Sequence, residues 1–445
     1  MSLDYWSMPT ASFLARRMSN TKAHGEIPAG KAIVIQMGAR RNYAVPAALA
    51  AAGRLEALYT DLAATGGVGR LARLLSNAQL PPRLKAPFKR LGNRMPPEHV
   101  RPLTHTFDRA SLRYELGKFW RPDDRGRVLA RRRFNADWSN AMLAKGFGDA
   151  THIYAMMSGQ TLEADAFLEK AKEAGLTIVA DVTIALSYER IVEAEYRVNP
   201  GWGRPVVSYL SAMGEDNPAY PRMMHLADRF LCASPFVAED LIENWGADPD
   251  TVWIEPYSLH PSWLELLNDP VEGLVLFPGS ADLRKGIHHF ARAARILKDR
   301  GRNFEFRVVG DVSDAVRFHT ETQLLNFRGR LTREQMAREY ECADVVALPT
   351  LAEGSAGVTY EALASGIPVI TTFASGSRVE DGVSGTIVPV GDTEALANAI
   401  ENVVCDRDRR ERFARAARAS MKSMAWDTYP ERLLRSVFAK TKINP

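Results

Sequence analysis

Two segments in the second half of the chain carry residue types suited to binding a diphosphate. In the first, an apolar stretch ends at Pro278-Gly279-Ser280, and Arg284-Lys285 stands directly before an amphipathic helical pattern. A glycine lets the backbone approach a ligand closely, and the amides at a helix N-terminus attract anions. The sequence therefore predicts a phosphate contact at Arg284 and Lys285. The alternative is a solvated basic pair that caps the helix.

The second segment places a loop of small residues between an apolar stretch and a helix. Five successive loop amides can bind phosphate oxygens without any side chain. These amides belong to Gly354, Ser355, Ala356, Gly357 and Val358. Glu353 precedes them, and Glu361 follows within the helix. Because a carboxylate is repelled by phosphate, we expect both glutamates to accept hydroxyl groups, one from a transferred sugar and one from a ribose. Alternatively, Glu353 caps the helix and Glu361 lies on its surface.

Strand-sized apolar runs alternate with amphipathic helices, which is typical of parallel sheets covered on both faces. In the first half, strands are predicted at residues 31–37, 55–60, 151–156, 176–180, 229–233 and 251–255. In the second half, they are predicted at residues 273–277, 304–309, 325–328, 344–348, 368–371 and 386–388. Predicted helices include 161–174 and 235–245, and one that carries Ile287, Phe290, Ala294 and Leu297 on one face. The fold class is α/β with two doubly wound domains, and ligands are expected at the carboxyl ends of the strands.

The order and spacing of the motifs in the second half resemble those of the retaining nucleotide-sugar glycosyltransferases of family 4. Gly279 with Lys285-Gly286 is similar to that family's G-R-x4-K-G element, and Glu353 with Glu361 is similar to its E-x7-E element. Residues 361–370 and 379–392 are similar to the helix, strand and tail that follow in the family. The resemblance covers about residues 273–404.

The resemblance implies the GT-B fold, in which two Rossmann-like doubly wound parallel-sheet domains face a central cleft. We expect an acceptor-side domain over residues 1–258 and a donor-binding domain over residues 273–422. The linker is expected at residues 257–272. A C-terminal segment, residues 423–445, is expected to cross back onto the first domain, with a helix at 426–439.

The family also implies a role for each site residue. Lys285 would contact the donor diphosphate and stabilise the departing nucleotide. Glu353 would bind donor-sugar hydroxyls and Glu361 the ribose hydroxyls, while the five loop amides would hold the phosphates. The implied activity is a hexosyltransferase-like transfer with retention, through same-face substitution and without a protein nucleophile, a metal ion or a cofactor beyond the nucleotide-sugar co-substrate. The acceptor stays open among a glycan, a lipid-linked glycan and a small molecule.

The sequence departs from the family's pattern at several positions. Ser280 replaces the usual Arg, and Arg284 is a candidate to supply that charge. The family's E-G-F-G run is Glu353-Gly354-Ser355-Ala356 here, with Gly357 next. Residues 38–43 stand where a Gly-rich acceptor loop is expected. The place of the first-domain histidine is taken by Asp181-Val182-Thr183, and His152 is interpreted as structural.

Other classes of protein fit the sequence less well. A metal-dependent transferase would use an Asp-x-Asp motif, but residues 248–250 and 406–408 are interpreted as turn or capping residues. No metal cluster is expected among the nine histidines, since the adjacent His288 and His289 should point in different directions on a helix. The G-x-G-x-x-A match at residues 67–72 is too weak to indicate an oxidoreductase. A degenerate GT-B protein that binds nucleotide sugar or acts as a scaffold remains the main alternative, with an epimerase behind it.

Composition sets the broad class. The chain has 445 residues, a formal net charge of +4 and 46% hydrophobic residues, which fits a folded protein of two or more domains. Its three widely spaced cysteines fit a reducing compartment. The sequence predicts no membrane-spanning stretch and no signal peptide at residues 1–30. We therefore expect a cytoplasmic protein, with association to the cytoplasmic face of a membrane as an open alternative.

The small net charge conceals a basic segment at residues 66–133, with 17 Lys and Arg against 5 Asp and Glu. It is rich in proline and predicts short helices and loops without a strand. Leucines interleaved with cations suit an interface with an anionic lipid surface. The alternative is an insertion that packs its leucines on the first domain. Nucleic acid is not an expected partner, because the segment has few aromatic residues and no reader motif.

Overall fold

The computed structural model describes the chain as two β-sheets, each flanked by helices. The described residues are 27–76, 78, 88–89, 91–120, 124–158, 161–162, 165–203, 224–424 and 428–439. The strands of the first sheet lie within residues 32–254, and those of the second within residues 274–388. Within these described ranges, no helix is both long enough and apolar enough to cross a membrane.

The first sheet has seven parallel strands and one short antiparallel strand. They are β1 (Ala32–Gln36), β2 (Leu55–Thr60), β3 (Thr104–Thr106), β4 (His152–Ser158), β5 (Thr161–Leu162), β6 (Thr177–Val182), β7 (Arg229–Cys232) and β8 (Val252–Ile254). Their order is β3-β2-β1-β4-β6-β7-β8, with β5 antiparallel to β4. Alternate residues of β1 enter different cores, Ile33 and Ile35 on one face and Ala32 and Val34 on the other, so both faces of the sheet are covered.

Among the described residues, seven helices lie in this first half. They are α1 (Ala44–Ala51), α2 (Gly67–Ser76), α3 (Asp108–Trp120), α4 (Asp124–Leu143), α5 (Asp165–Glu173), α6 (Tyr188–Val198) and α7 (Pro235–Glu243). Trp138 of α4 and Phe167 of α5 are fully buried against one face of the sheet. These helices stabilise the sheet by removing apolar side chains from water.

The second sheet is entirely parallel. Its strands are β9 (Leu274–Pro278), β10 (Glu305–Val309), β11 (Leu325–Gly329), β12 (Val345–Leu348), β13 (Val369–Thr372) and β14 (Gly385–Val388). Their order is β11-β10-β9-β12-β13-β14, so the strand order reverses between β9 and β12. A crevice at such a reversal is the usual ligand site of open α/β sheets.

In the described part of the chain, eight helices follow β8. They are α8 (Ser262–Glu265), α9 (Ile287–Asp299), α10 (Asp314–Arg317), α11 (Arg333–Cys342), α12 (Gly357–Ala364), α13 (Thr393–Cys405), α14 (Arg407–Met421) and α15 (Tyr429–Phe438). The face of α9 predicted to be apolar, with Ile287, Phe290, Ala294 and Leu297, is fully buried. The helical periodicity therefore identified the side of α9 that packs on the sheet.

Each of the twelve predicted strands is present, with ends within two residues of the prediction. The prediction of no strand in the basic segment is wrong, because β3 pairs in parallel with β2 at the edge of the first sheet. Thr104-His105-Thr106 is only half-buried, so an edge strand of this kind lacks the apolar run that marks central strands. The predicted helix at 161–174 is shorter than expected, since β5 occupies Thr161–Leu162. The linker region 257–272 contains α8, whose Trp263 is buried against the second sheet.

The last described helix, α15, packs on the first sheet rather than on the second. Tyr429, Leu433 and Val437 share a core with residues of β1 and α1. Arg229 of β7 is fully buried, and its guanidinium donates to the carbonyls of Ser436, Val437 and Ala439. The end of α15 is therefore held to the first sheet by charge-assisted hydrogen bonds. Trp426, part of the predicted crossing segment, lies outside the described residues.

The carboxyl ends of the two sheets meet in space. Gly354, in the loop after β12, touches the backbone of Thr183, in the loop after β6, so closely that a Cβ atom at Gly354 would overlap the Thr183 carbonyl oxygen. Phe236 of α7 contacts Phe373, which follows β13, with ring centroids 6.1 Å apart. Any ligand bound after β9 or β12 would therefore have the first domain as its neighbour.

Candidate functional site

The loop between β9 and α9 folds the Lys285 side chain over a glycine. Gly279 has a φ of +129°, and a Cβ atom there would lie 3.1–3.2 Å from the Cδ, Cε and Nζ atoms of Lys285. The Lys285 amide donates to Asp282 Oδ1 at 2.9 Å. Glycine is needed at residue 279 because of both the backbone conformation and the space that Lys285 occupies. Ser280, which replaces the family's arginine, is half-buried in the same turn.

A second loop, residues 349–356, docks on the first. The Leu351 amide and the Thr350 hydroxyl both donate to the Arg284 carbonyl at 2.8 Å. A Cβ atom at Gly286 would overlap the Pro349 carbonyl, so the start of α9 lies directly against this loop. The two segments predicted to bind diphosphate thus contact each other directly. One follows β9 and the other follows β12, where the strand order reverses.

The Glu353 carboxylate contacts both cations that precede α9. Its Oε1 atom lies 2.6 Å from Lys285 Nζ and 2.6 Å from Arg284 Nη1. The Lys285 and Glu353 side chains are 13% and 14% exposed. Burial raises the pKa of Glu353, but the charges of Lys285 and Arg284 outweigh it and leave that pKa below its ordinary value. Glu353 is therefore a carboxylate held against two cations at the mouth of the cleft.

The loop amides are not all equally available to a ligand. Helix α12 begins at Gly357, and Ala356 is its N-cap residue, so Glu353 does not cap it. The Ala356 amide donates to the Ser375 carbonyl at 3.0 Å. By contrast, Gly357 is exposed, with no atom within 4 Å of the position a Cβ would take. The amides of Gly357 and Val358 belong to the first turn of α12, where no intrahelical acceptor exists.

Glu361 lies on α12 beside a tyrosine that sequence reasoning missed. The Tyr340 hydroxyl, on α11, lies 3.1 Å from Glu361 Oε2 and 3.1 Å from the Val358 carbonyl. Burial raises the pKa of Glu361 to about 7, although the hydrogen bond from Tyr340 opposes this effect. No local sequence signal relates Tyr340 to Glu361, because they belong to different helices.

The first domain presents a strained turn to the same cleft. Arg41, Asn42 and Tyr43 follow β1 and all have a positive φ, of 48°, 51° and 62°. Three successive non-glycine residues in this region are unusual and cost free energy, and such strain is characteristic of functional sites. The turn occupies the position where the family's acceptor loop is expected.

Arg41 is held in this turn by residues from two other segments. Its Nη2 atom lies 2.8 Å from Asp181 Oδ1, and its guanidinium stacks 3.7 Å from the centroid of the Tyr257 ring. The Tyr257 hydroxyl donates to the Thr183 carbonyl at 3.1 Å. Asp181 and Thr183, which stand in place of the expected histidine, are thus joined to both the turn and the Gly354 loop.

Two of the weaker motifs are capping residues, as predicted. The Asp248 carboxylate accepts from the Asp250 amide, and the Asp406 carboxylate accepts from the Arg409 amide at the start of α14. His152 is the first residue of β4, at the amino end of the strand and away from the cleft. The centroids of its ring and the Phe438 ring are 4.7 Å apart. Its pKa falls to about 4, chiefly because of burial. These contacts fit the structural role predicted for His152.

The prediction that His288 and His289 point apart is wrong. Their ring centroids are 3.9 Å apart, and both rings turn toward Glu195 on α6 of the first domain. One ligand atom from each of the three residues lies within 4.8 Å of the other two, a grouping that was not anticipated from the sequence. The third residue lies in the other domain, which the spacing of the two histidines could not indicate.

Comparison with known proteins places the second domain in a described family. Residues 272–406 match the family model of glycosyl transferases group 1. The D-inositol 3-phosphate glycosyltransferase of Paenarthrobacter aurescens is 28% identical over 46% of this chain and 56% of its own length. That of Xylanimonas cellulosilytica is 26% identical over 69% of this chain and 76% of its own length. The matched region therefore spans about half to three quarters of these relatives.

The fold of the whole chain also has solved counterparts. The structure of HepE from Anabaena, in complex with UDP and glucose, superposes with a TM-score of 0.58 over 92% of this chain and 99% of HepE. The two sequences are 16% identical, so the likeness extends to the fold alone. It assigns the two facing parallel-sheet domains to the GT-B architecture.

Proposed function

We propose that this chain, a group 1 glycosyltransferase, transfers a sugar from a nucleotide-diphosphate donor to an acceptor with retention. The family assignment rests on the match of residues 272–406. The observation that carries this proposal is the contact of Lys285 and Arg284 with Glu353 Oε1, both at 2.6 Å, beside the exposed start of α12. This arrangement places two cations and free helix amides next to one carboxylate. A nucleotide sugar offers the complementary pair, a diphosphate and a ring of hydroxyl groups.

The proposed reaction breaks the bond between the anomeric carbon and the diphosphate. Negative charge then accumulates on the leaving phosphate, and preorganised cations and amides stabilise such charge most effectively. We assign this role to Lys285 and Arg284 and to the amides of Gly357 and Val358, in the place of a metal ion. Arg284 thereby supplies the charge that the family's arginine would supply at Ser280.

In this proposal the two carboxylates bind the uncharged hydroxyl groups of the donor. Glu353 accepts sugar hydroxyls once the diphosphate takes over its two cations, and Glu361 accepts hydroxyls of the ribose. No protein nucleophile is assigned, so the leaving phosphate receives the acceptor proton and the new bond forms on the same face of the sugar. The tight contact of Gly354 with Thr183 keeps water away from that face, which limits hydrolysis of the donor.

The acceptor is placed against the first domain, at the strained turn that follows β1. Arg41 is neutralised by Asp181, whereas the neighbouring Arg40 is exposed. Glycans, lipid-linked glycans and small polyols all fit an open polar surface of this kind. Because its relatives act on D-inositol 3-phosphate, as their names state, that compound belongs in the first acceptor trial.

A thermal-shift panel of nucleoside diphosphates and nucleotide sugars tests the donor class. A ligand that binds only the folded state raises the melting temperature by mass action. We expect one base to stabilise the protein, and we place uridine first because HepE was solved with UDP. A panel with no shift at all would contradict the proposal. A shift by a nucleotide sugar that is never consumed with any acceptor would favour the alternative, a degenerate binding or scaffold protein.

A membrane surface is the second partner that we propose, through helices α2 and α3 of the basic segment. Leu71 and Leu74 are 56% and 65% exposed, beside the exposed Arg70 and Arg73. The alternative, in which the leucines pack on the first domain, does not hold for these two. An apolar stripe flanked by cations suits the surface of an anionic bilayer.

Sedimentation with vesicles tests this contact. The protein should pellet with anionic vesicles, should not pellet with neutral ones, and should be released by high salt. The double variant Leu71→Ser/Leu74→Ser should lose the binding. Leu267→Ser, which changes a leucine that is 73% exposed in the linker, should keep it. Equal sedimentation with neutral and anionic vesicles would contradict the proposal.

A further inference from the structure

Helix α6 of the first domain and helix α9 of the second meet at three ionisable side chains. Glu195 lies on α6, and His288 and His289 lie in the first turn of α9. One ligand atom from each of the three residues lies within 4.8 Å of those of the other two. The side-chain partners of this cluster, among them Asn199, Thr393 and Trp202, differ from those of the Lys285–Glu353 pair.

The two imidazoles present nitrogen atoms to one carboxylate oxygen. His288 Nε2 lies 2.8 Å from Glu195 Oε1, and His289 Nε2 lies 3.8 Å from the same atom. The other ring nitrogen of His289, Nδ1, lies 2.9 Å from the Thr393 hydroxyl oxygen. A hydrogen bond from Nδ1–H to that oxygen leaves Nε2 as the nitrogen that carries the lone pair, and a metal-ligating histidine also uses one ring nitrogen as a donor and the other as a ligand.

His289 is buried, so the hydrogen bonding of its ring nitrogens indicates whether the site lacks a ligand. Its side chain is 9% exposed and that of His288 is 0% exposed. His289 Nε2 nevertheless has no hydrogen-bond partner, although buried polar atoms are nearly always paired. A ligand for that nitrogen would remove the cost of leaving it unpaired.

The surrounding charges are compatible with a bound cation. Arg292, the nearest guanidinium, lies 2.6 Å from Glu321 and donates to Asn199 Oδ1, so its charge is balanced locally. The Asn199 side-chain amide donates to Glu195 Oε1 at 2.6 Å and fixes the carboxylate. Trp202 covers His288, with ring centroids 5.8 Å apart. A hydrogen bond from Asn199 therefore orients the Glu195 carboxylate, and the Trp202 ring shields His288.

We propose that Glu195, His288 and His289 bind one divalent transition-metal ion of the zinc class at the contact between the two domains. Two imidazoles and one carboxylate, with a fourth position for water, form a donor set typical of Zn²⁺, whereas Mg²⁺ and Ca²⁺ prefer oxygen ligands. Zn–N and Zn–O bonds of about 2.0–2.1 Å in a tetrahedron separate ligand atoms by about 3.3 Å. The two separations from Glu195 Oε1, 2.8 and 3.8 Å, lie on either side of that value.

The ion would connect the domains rather than take part in sugar transfer. Glu195 comes from the first domain and both histidines from the second, so the bound metal cross-links α6 to α9. Because α9 begins directly after Lys285, the cross-link also fixes the donor loop relative to the first domain. The inference does not depend on the proposed reaction, and its test uses no activity measurement.

Zinc binding to the full-length chain tests this inference. Protein freed of metal with a chelator and dialysed against Zn²⁺ should retain one zinc per chain, and Zn²⁺ should raise its melting temperature. Glu195→Gln and His289→Gln should each lose the retained zinc and the thermal shift. His260→Gln, which changes an exposed histidine of the linker, and Cys405→Ser, which removes an exposed thiol, should keep both.

A spectroscopic measurement covers the case in which a variant fails to fold. Co²⁺ added to the metal-free wild-type protein should give the intense visible absorption of a tetrahedral site, and Zn²⁺ should abolish it. Two results would each overturn the inference. One is wild-type protein with neither retained zinc nor this absorption. The other is a folded His289→Gln variant that retains zinc as the wild type does.

Discussion

Lys285 Nζ and Glu353 Oε1 lie 2.6 Å apart, although they come from loops after different strands of the second sheet. Arg284 Nη1 lies at the same distance, 2.6 Å, from that oxygen. The carboxylate thus holds two cations in place at the cleft without any ligand. A donor diphosphate can take over these cations with little further ordering of side chains, which is an advantage for binding.

Removal of the Glu353 charge should separate binding of the nucleotide from sugar transfer. In Glu353→Gln the two cations lose their internal partner and stay available to phosphate. We expect a nucleoside diphosphate to bind at least as tightly as to the wild type, measured by calorimetry. Turnover of the nucleotide sugar should fall about 10²-fold, because hydroxyl contacts that orient the sugar are weakened. Loss of diphosphate binding together with turnover would instead indicate that Glu353 only maintains the fold.

The raised pKa of Glu361 predicts a dependence of stability on pH. With a pKa of about 7 in place of 4.5, the folded protein keeps a proton that the unfolded chain releases between these values. The free energy of unfolding should therefore fall as pH rises from about 4.5 to about 7, by up to about 3 kcal/mol. Glu361→Gln should lack this dependence and be more stable than wild type at about pH 8. Urea denaturation across this pH range measures it, and identical pH profiles would contradict it.

Gly354 controls how closely the two domains approach. In Gly354→Ala the new methyl group overlaps the Thr183 carbonyl oxygen, so the loop after β12 has to move away from the first domain. A displacement of about 1 Å at a reacting centre can lower turnover about 10²-fold. We expect a loss of that order in kcat, with each domain still folded by circular dichroism. Gly66→Ala, at a glycine with open space around it, should keep wild-type kcat. Unchanged kcat in Gly354→Ala would show that the contact is unimportant.

Arg229 holds α15 on the first sheet. Its three carbonyl partners, Ser436, Val437 and Ala439, would lose their donor in Arg229→Met. Hydrogen bonds to charged groups contribute about 1.5–3 kcal/mol each, and we expect a destabilisation of at least about 3 kcal/mol. Arg435→Met, which removes an exposed ion pair with Glu431, should cost less than about 1 kcal/mol. Urea denaturation gives both values. Amide exchange over residues 429–438 should be faster in Arg229→Met alone, and equal effects of the two substitutions would contradict this role.

The strands could be predicted from the sequence because both sheets are buried on both faces. Central strands such as β9 and β12 are short continuous apolar runs, fully buried in the structure, and their length distinguishes them from buried helices. The edge strand β3 was missed because Thr104-His105-Thr106 gains little from burial. The apolar pattern of a segment reflects how much of it is buried in the core. A strand with little burial therefore has no clear apolar pattern in the sequence.

Lys285 and Glu353 could be selected as candidates from the sequence because both lie in loops that follow apolar strands. What the sequence lacks is the partner of each residue. Tyr340 beside Glu361, Thr183 against Gly354, and Glu195 opposite His288 each bring together distant parts of the chain. Such pairs depend on how helices and domains pack, which spacing along the chain does not encode.

Turnover of a nucleotide sugar by Lys285→Ala tests whether Lys285 stabilises the leaving diphosphate. Arg284 still faces Glu353 in this variant, so the carboxylate keeps a partner and the melting temperature should change little. Loss of one preorganised charge on the leaving group should lower kcat about 10²–10³-fold. Lys298→Ala, at an exposed lysine near the end of α9, should match the wild type. Wild-type turnover in folded Lys285→Ala would contradict the account.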